Sequence, residues 1–179
     1  MPKPYFFDPQ QKVQEIIMVN HAGEYGAQRI YQGQLAWTRD SNAKIVIQDM
    51  LEQELEHLQF FHLELVNTKT RPTFLLPMWD MVGYGIGAIS AMIGTRTSML
   101  LTDAIEEVIV DHYQEQIDYF NKCDPSHPLL PKIKQFQQEE EQHMQIAIDH
   151  SSRKLPLFNL ASRGIKTMCQ FAINLSKKI

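Results

Sequence analysis

Apolar residues recur at intervals of three and four along most of this chain, and no stretch alternates strictly, so the pattern predicts helices and no strands. Pro9 can open a first helix that runs through Ile16, Ile17, Ala27, Ile30, Tyr31 and Leu35 to the polar turn Asp40-Ser41-Asn42. A second is expected from Ala43 to about Val66, capped by Ser41 or Asn42, with Ile47, Met50, Leu51, Leu58 and Phe61 on one face and Thr70-Arg71-Pro72 as its stop. A long apolar stretch from Phe74 to Ile93 follows. Thr97 or Ser98 can cap a third helix reaching about Phe120, and the loop from Cys123 to Pro128 leads to a fourth, with Pro131 in its first turn and His150 near its end. Pro156 sets off a final, mostly apolar helix, Phe158 to Ser176. The expectation is one all-α domain over 1–179, four helices joined by an apolar crossover segment and followed by a C-terminal helix.

Composition narrows what such a domain can do. With 179 residues, 44% of them hydrophobic, one core of ordinary size is within reach. A formal net charge of −4 excludes nucleic acid as the main partner, and Lys177 and Lys178 are too few to change that. Cys123 and Cys169 are isolated, so neither a disulfide framework nor a thiolate zinc site is predicted. Met1-Pro2-Lys3-Pro4 has the pattern of neither a secretory signal nor a transit peptide, so a cytoplasmic or already processed chain is expected.

The chemistry lies in polar residues on otherwise apolar faces. Glu54 shares its face with Ile47, Met50, Leu51, Leu58 and Phe61, whereas Glu56 lines up with Asp49, Glu52, Gln53 and Gln59. Glu106 stacks with Met99, Val110, Tyr113 and Ile117, while Glu107 follows the row of Asp103, Asp111, Gln114 and Asp118. Among Glu139, Glu140 and Glu141, only Glu140 has a His three residues on together with the apolar neighbours Ile133, Phe136, Met144 and Ala147. Glu24 sits with Ile17, Ala27 and Tyr31. Residues three apart on a helix share a face, so Glu54 with His57 and Glu140 with His143 can each close on one metal ion. Four carboxylates turned inward without cations would repel one another and carry a desolvation cost of several kcal/mol per ion. Oxygen ligands with two imidazoles and no sulfur favour iron or manganese. One Glu, one Glu-x-x-His, one Glu and a second Glu-x-x-His on four helices is the ligand set of ferritin-like dinuclear carboxylate proteins.

The residues also carry a family resemblance. Val19-Asn20-His21-Ala22-Gly23-Glu24-Tyr25-Gly26-Ala27, the two Glu-x-x-His motifs, Glu106-Glu107 with His112-Tyr113, and the segment from Arg71-Pro72-Thr73 to Gly94 resemble the demethoxyubiquinone hydroxylase family, the Coq7-type proteins of ubiquinone biosynthesis. The likeness runs from about Ile16 to Ser176. It implies a ferritin-like di-iron monooxygenase, attached peripherally to a membrane, that uses O2 to hydroxylate the ring of a polyprenylated methoxybenzoquinone, with NADH as the electron source. The iron ligands would be Glu24, Glu54, His57, Glu106, Glu140 and His143, with Glu54 and Glu140 bridging. The expected location is the cytoplasmic face of a bacterial inner membrane, or the matrix face of the mitochondrial inner membrane for a processed organellar chain. A homo-oligomer or a partner protein of the same pathway is left open. Two positions depart from the family pattern, Asn20 in place of an acidic residue and Asp111 where relatives can carry a second His.

Around the ligands, Tyr113 falls on the Glu106 face and His112 is offset from it; either is a candidate to orient a ligand or relay a proton, as is His21. The segment 74–94 has about the length of a bilayer span, but Pro77 and its glycines argue against a straight transmembrane helix. An interfacial segment is expected, with Trp79 and Tyr84 at headgroup level and Gly83, Gly85 and Gly87 allowing close approach of helices or of a lipid tail; a buried crossover is compatible with it. Gly83-Tyr84-Gly85-Ile86-Gly87 grazes a dinucleotide fingerprint but lacks the preceding strand. Two other ferritin-like functions compete. Iron storage needs a soluble cage surface, which the apolar segment spoils, and a rubrerythrin-type peroxide enzyme usually carries a thiolate iron site, which isolated cysteines cannot supply.

Overall fold

The computed structural model describes residues 8–150 and 152–177; the Met1-Pro2-Lys3-Pro4 opening and Lys178 lie outside them. Asp8 caps the first helix by accepting from the Gln10 amide at 2.9 Å, and Pro9 occupies its first position, giving α1 (Pro9–Trp37). Asp40, rather than Ser41 or Asn42, caps α2 (Ser41–Asn67): its carboxylate accepts from the Asn42 and Ala43 amides, so the helix starts two residues earlier than its hydrophobic pattern does. The stretch after Phe74 is a regular helix, α3 (Leu76–Ile93), because Pro77 sits in the first turn, where its missing N–H costs nothing. Only Gly94, at φ 148°, separates it from α4 (Thr95–Cys123), which therefore begins before Thr97 and runs past Phe120. Then come α5 (Leu129–Asp149), a short 3-10 turn at Ser152–Lys154, and α6 (Phe158–Ser176). Among the described residues there is no strand, and no helix is long and apolar enough to cross a membrane.

Helices α1, α2, α4 and α5 form the bundle, with α3 laid along α1 and α6 across α4. Its interior has two apolar clusters. One contains Ile16, Ile17, Phe61, Leu65, Ile117, Phe120, Ile133 and Phe136, and the other Ala27, Tyr31, Ile47, Met50, Met99 and Ala147. Between them, on every bundle helix, falls one polar level: Glu24, Glu54 with His57, Glu106, and Glu140 with His143. Following the chain, α1 and α5 meet the clusters in one order and α2 and α4 in the other, so α2 and α4 run in the same direction. Their connection must travel back along the whole bundle, and the 18 residues of α3 cover about 27 Å.

Glycines set how closely α3 lies on α1. A Cβ on Gly87 would collide with the carbonyl of Ile30, and one on Gly33 with the carbonyl of Tyr84, whereas Gly85 faces open space. Of the two aromatic residues expected at headgroup level, Tyr84 stacks under the Arg29 guanidinium at 5.1 Å and Trp79 is half-buried.

Candidate metal centre

The six side chains singled out by helical spacing are brought together in the polar level, all of them buried. One donor atom each from Glu24, Glu54, His57 and Glu140 lies within 4.8 Å of the others, and so does one each from Glu54, Glu106, Glu140 and His143. Glu54 and Glu140 belong to both sets. His57 points Nδ1 inward, 3.0 Å from Glu140 Oε1 and 3.6 Å from Glu24 Oε2. His143 does the same, with Nδ1 3.1 Å from Glu140 Oε2 and 3.3 Å from Glu54 Oε1.

The donor set suits divalent cations better than protons. Both oxygens of Glu54, Oε2 of Glu24 and Glu106, Oε1 of Glu140 and Nδ1 of His57 are buried without a hydrogen-bond partner. Buried polar groups left unpaired cost roughly 1–3 kcal/mol each, more for charged ones, so this concentration of them marks a candidate binding site. Electrostatics agree. Burial, and then the Glu140 charge, push Glu54 and Glu106 well above the usual carboxylate range. For Glu140 the larger burial effect is overcome by the two imidazoles, which bring it down to about 2. Burial would lower His57, yet Glu140 and Glu24 beside it push it up to about 12, and His143 also rises because of Glu140. Without cations the cluster therefore holds protons where divalent ions would offset the same charge.

Three residues brace the level from behind. Tyr113 donates to Glu24 Oε1, and Tyr31 donates to Glu106 Oε1 at 2.6 Å. Burial, reinforced by these carboxylates, keeps both phenols far above their usual range and hence protonated donors. Glu139 Oε2 accepts from His57 Nε2 at 2.7 Å, which fixes the tautomer with Nδ1 free to face the level. Tyr31 and Glu139 were not among the expected site residues, although Tyr31 stands seven after Glu24 and so on its face. Asp103, placed by its pattern on a solvent row, is fully buried and held by Ser152 Oγ at 2.8 Å and by Arg153. His21 packs beside His62, and burial and then His62 lower it to about 4. His112 makes no hydrogen bond to any of the six.

A cavity of about 320 Å³ opens beside Glu24 and Tyr113, walled by α1, α3, α4 and α6. Its lining is mostly hydrocarbon, including Ile30, Ile86, Ile109 and Met168, and Trp79 forms part of it. Size and lining suit a small aromatic ligand with an apolar extension.

Comparison with known proteins adds independent findings. Residues 11–176 match the family model described as ubiquinone biosynthesis protein COQ7. A mouse protein named NADPH-dependent 3-demethoxyubiquinone 3-hydroxylase, mitochondrial, is 41% identical over 168 residues, 93% of this chain and 77% of the relative. A Rhodospirillum rubrum protein named 3-demethoxyubiquinol 3-hydroxylase is 37% identical over 96% of this chain and 80% of its own length. The 5-demethoxyubiquinone hydroxylase of Saccharomyces cerevisiae, a mitochondrial protein, is 33% identical over 92% of this chain and 77% of its own.

Proposed function

This chain belongs to the ubiquinone biosynthesis protein COQ7 family, and from that premise we propose that its buried polar level holds two iron ions serving the hydroxylation of a polyprenylated demethoxybenzoquinone ring. The enzyme is a demethoxyubiquinone hydroxylase of ubiquinone biosynthesis. Glu24, Glu54, His57 and Glu140 are the proposed ligands of one ion, and Glu54, Glu106, Glu140 and His143 those of the other. The observation that carries this is the membership of Glu54 and Glu140 in both sets of converging donors, which is what bridging carboxylates require. Held by these residues, two ferrous ions would supply the two electrons that, with two protons and the electron pair of the ring C–H bond, reduce O2 to one ring hydroxyl and one water.

The chain's own residues prepare the reaction. Tyr31 and Tyr113 each hold one oxygen of a terminal carboxylate, leaving the second free to bind. Glu139 keeps His57 in the metal-binding tautomer. The apolar cavity takes the quinone ring beside Glu24. Reduced nicotinamide nucleotide is the proposed electron source; the mouse relative's name specifies NADPH, where the family resemblance led to NADH.

A prenylated substrate resides in lipid, and peripheral attachment to an inner membrane is part of the proposal, at the cytoplasmic face in a bacterium or the matrix face in a mitochondrion. It is supported by exposed apolar residues on the two outer helices that wall the cavity: Met81, Ile89 and Ile93 on α3, and Leu160 and Phe171 on α6.

The test has two arms. Glu54→Ala should lose most bound iron while far-UV circular dichroism stays near normal; full occupancy would remove Glu54 from the ligands. The reduced protein, mixed with 18O2 and a short-tailed demethoxyquinone, should give a product heavier by one labelled oxygen. Label taken from water, or many irons accumulating per chain without product, would overturn the hydroxylase reading.

A further inference from the structure

The bundle helices contribute four polar side chains to the cavity wall: Asn20 and Glu24 from α1, His112 and Tyr113 from α4. Three are engaged. Asn20 and Gln116 exchange two amide hydrogen bonds of 2.9 and 2.7 Å, and Tyr113 donates to Glu24, whose other oxygen faces the polar level. His112 differs. Both its ring nitrogens are shielded from solvent and neither has a hydrogen-bond partner; the nearest acid, Glu115, stays 3.9 Å from Nδ1.

Burial, and then Lys177 and Lys12, lower His112 to about 4, so at neutral pH it is an uncharged imidazole with one N–H to give. On its other side the ring lines a small cleft with Lys12, Glu15, Glu115 and Lys177, and Nδ1 is the nitrogen turned toward Glu115. The same side chain lines the main cavity, where its ring nitrogens are the polar atoms of the bundle wall that no protein group engages.

A quinone ring poses a particular demand on such a pocket. Its two carbonyl oxygens lie in the ring plane at opposite ends, and a hydrocarbon wall can hold the ring without deciding which edge points at the metal level. Hydroxylation at one carbon requires that decision. We propose that His112 donates a hydrogen bond to one ring oxygen of the quinone, anchoring the ring so that its unsubstituted carbon faces Glu24 and the metal level. This assignment rests on the quinone-hydroxylase reading and adds to it the group that orients the ring.

Calorimetric titration of the iron-loaded protein tests it with two ligands that share ring, substituents and tail, a short-tailed demethoxyquinone and the corresponding benzene lacking the two ring carbonyl oxygens. His112→Leu should lose about tenfold in affinity for the quinone and nothing for the analogue, and His112→Gln, which keeps a donor, should recover most of the loss. In turnover, His112→Leu should consume more O2 per product formed while its iron content stays that of the unaltered protein. Equal loss for both ligands would show that the imidazole only packs the wall, and an unchanged quinone affinity would remove it from recognition; either result overturns the proposal. If the unaltered protein bound neither ligand, the quinone reading itself would fall and the anchor with it.

Discussion

Glu139 lies one position before Glu140 and so points about 100° away from it around the helix, far enough to leave the polar level and meet the distal nitrogen of His57 on α2. Losing that acceptor leaves the imidazole free to rotate and to take the wrong tautomer. Glu139→Ala should therefore weaken iron binding by roughly 10–100-fold, measured by competition with a chelator, with helical content preserved because the side chain is partly exposed. Unchanged affinity would mean that packing against Phe136, 4.0 Å from the His57 ring, orients the imidazole without help. This contact also marks the limit of what is legible at the residue scale. The six candidate ligands could be singled out in sequence because each shares a face with apolar neighbours three and four residues away. Tyr31, Glu139 and Asp103 act through partners on other helices or, for Asp103, on the turn at Ser152–Lys154, and no spacing within one helix reveals those.

Among the elements, α3 shows how local rules and packing divide the work. Its glycines suggested close approach, and two of them serve it: Gly87 meets the Ile30 carbonyl and Gly83 the Gly26 carbonyl, while Gly85 faces away. Gly87→Ala should push α3 off α1 and lower stability by about 1–3 kcal/mol, read from denaturant midpoints, whereas Gly85→Ala should be neutral or slightly stabilising. Similar effects of the two would contradict the packing account. The same rotation of the helix settles which residues could face lipid. Trp79 and Ile86 line the cavity, and Met81 and Ile93 are 74% and 70% exposed. The protein should float with liposomes at high salt, since apolar burial is not screened, and Met81→Asp with Ile93→Asp should release it without loss of iron. Release by salt alone would point to charge instead. Helix ends were harder to place than helices: α2 begins directly after its cap Asp40 and α4 directly after Gly94 because capping and a positive φ fix them, and neither leaves a trace in the hydrophobic period.

Across the whole molecule, the order of helices, the inward carboxylates and the apolar crossover were readable, but the direction of each bundle helix was not, because only the two apolar clusters that form between helices fix it. That arrangement has a kinetic consequence. The α1–α2 and α4–α5 pairs are each joined by a short connection and can close locally, the quick kind of contact to form. Neither pair completes a proposed ion site alone: Glu24, Glu54 and His57 need Glu140 from the second pair, and Glu106, Glu140 and His143 need Glu54 from the first. The carboxylates meet only when the halves dock, so a divalent cation strengthens the finished bundle far more than the parts that precede it. Stripping the metal with a chelator should shorten the half-life of the folded state in denaturant by more than tenfold while refolding speed barely changes, which stopped-flow measurements on both limbs would reveal. A slower refolding limb with an unaltered unfolding limb would place the ions early instead. The atoms that bind oxygen chemistry to this fold would then also act as a latch between its two halves, and the lifetime of the protein would track the supply of its metal.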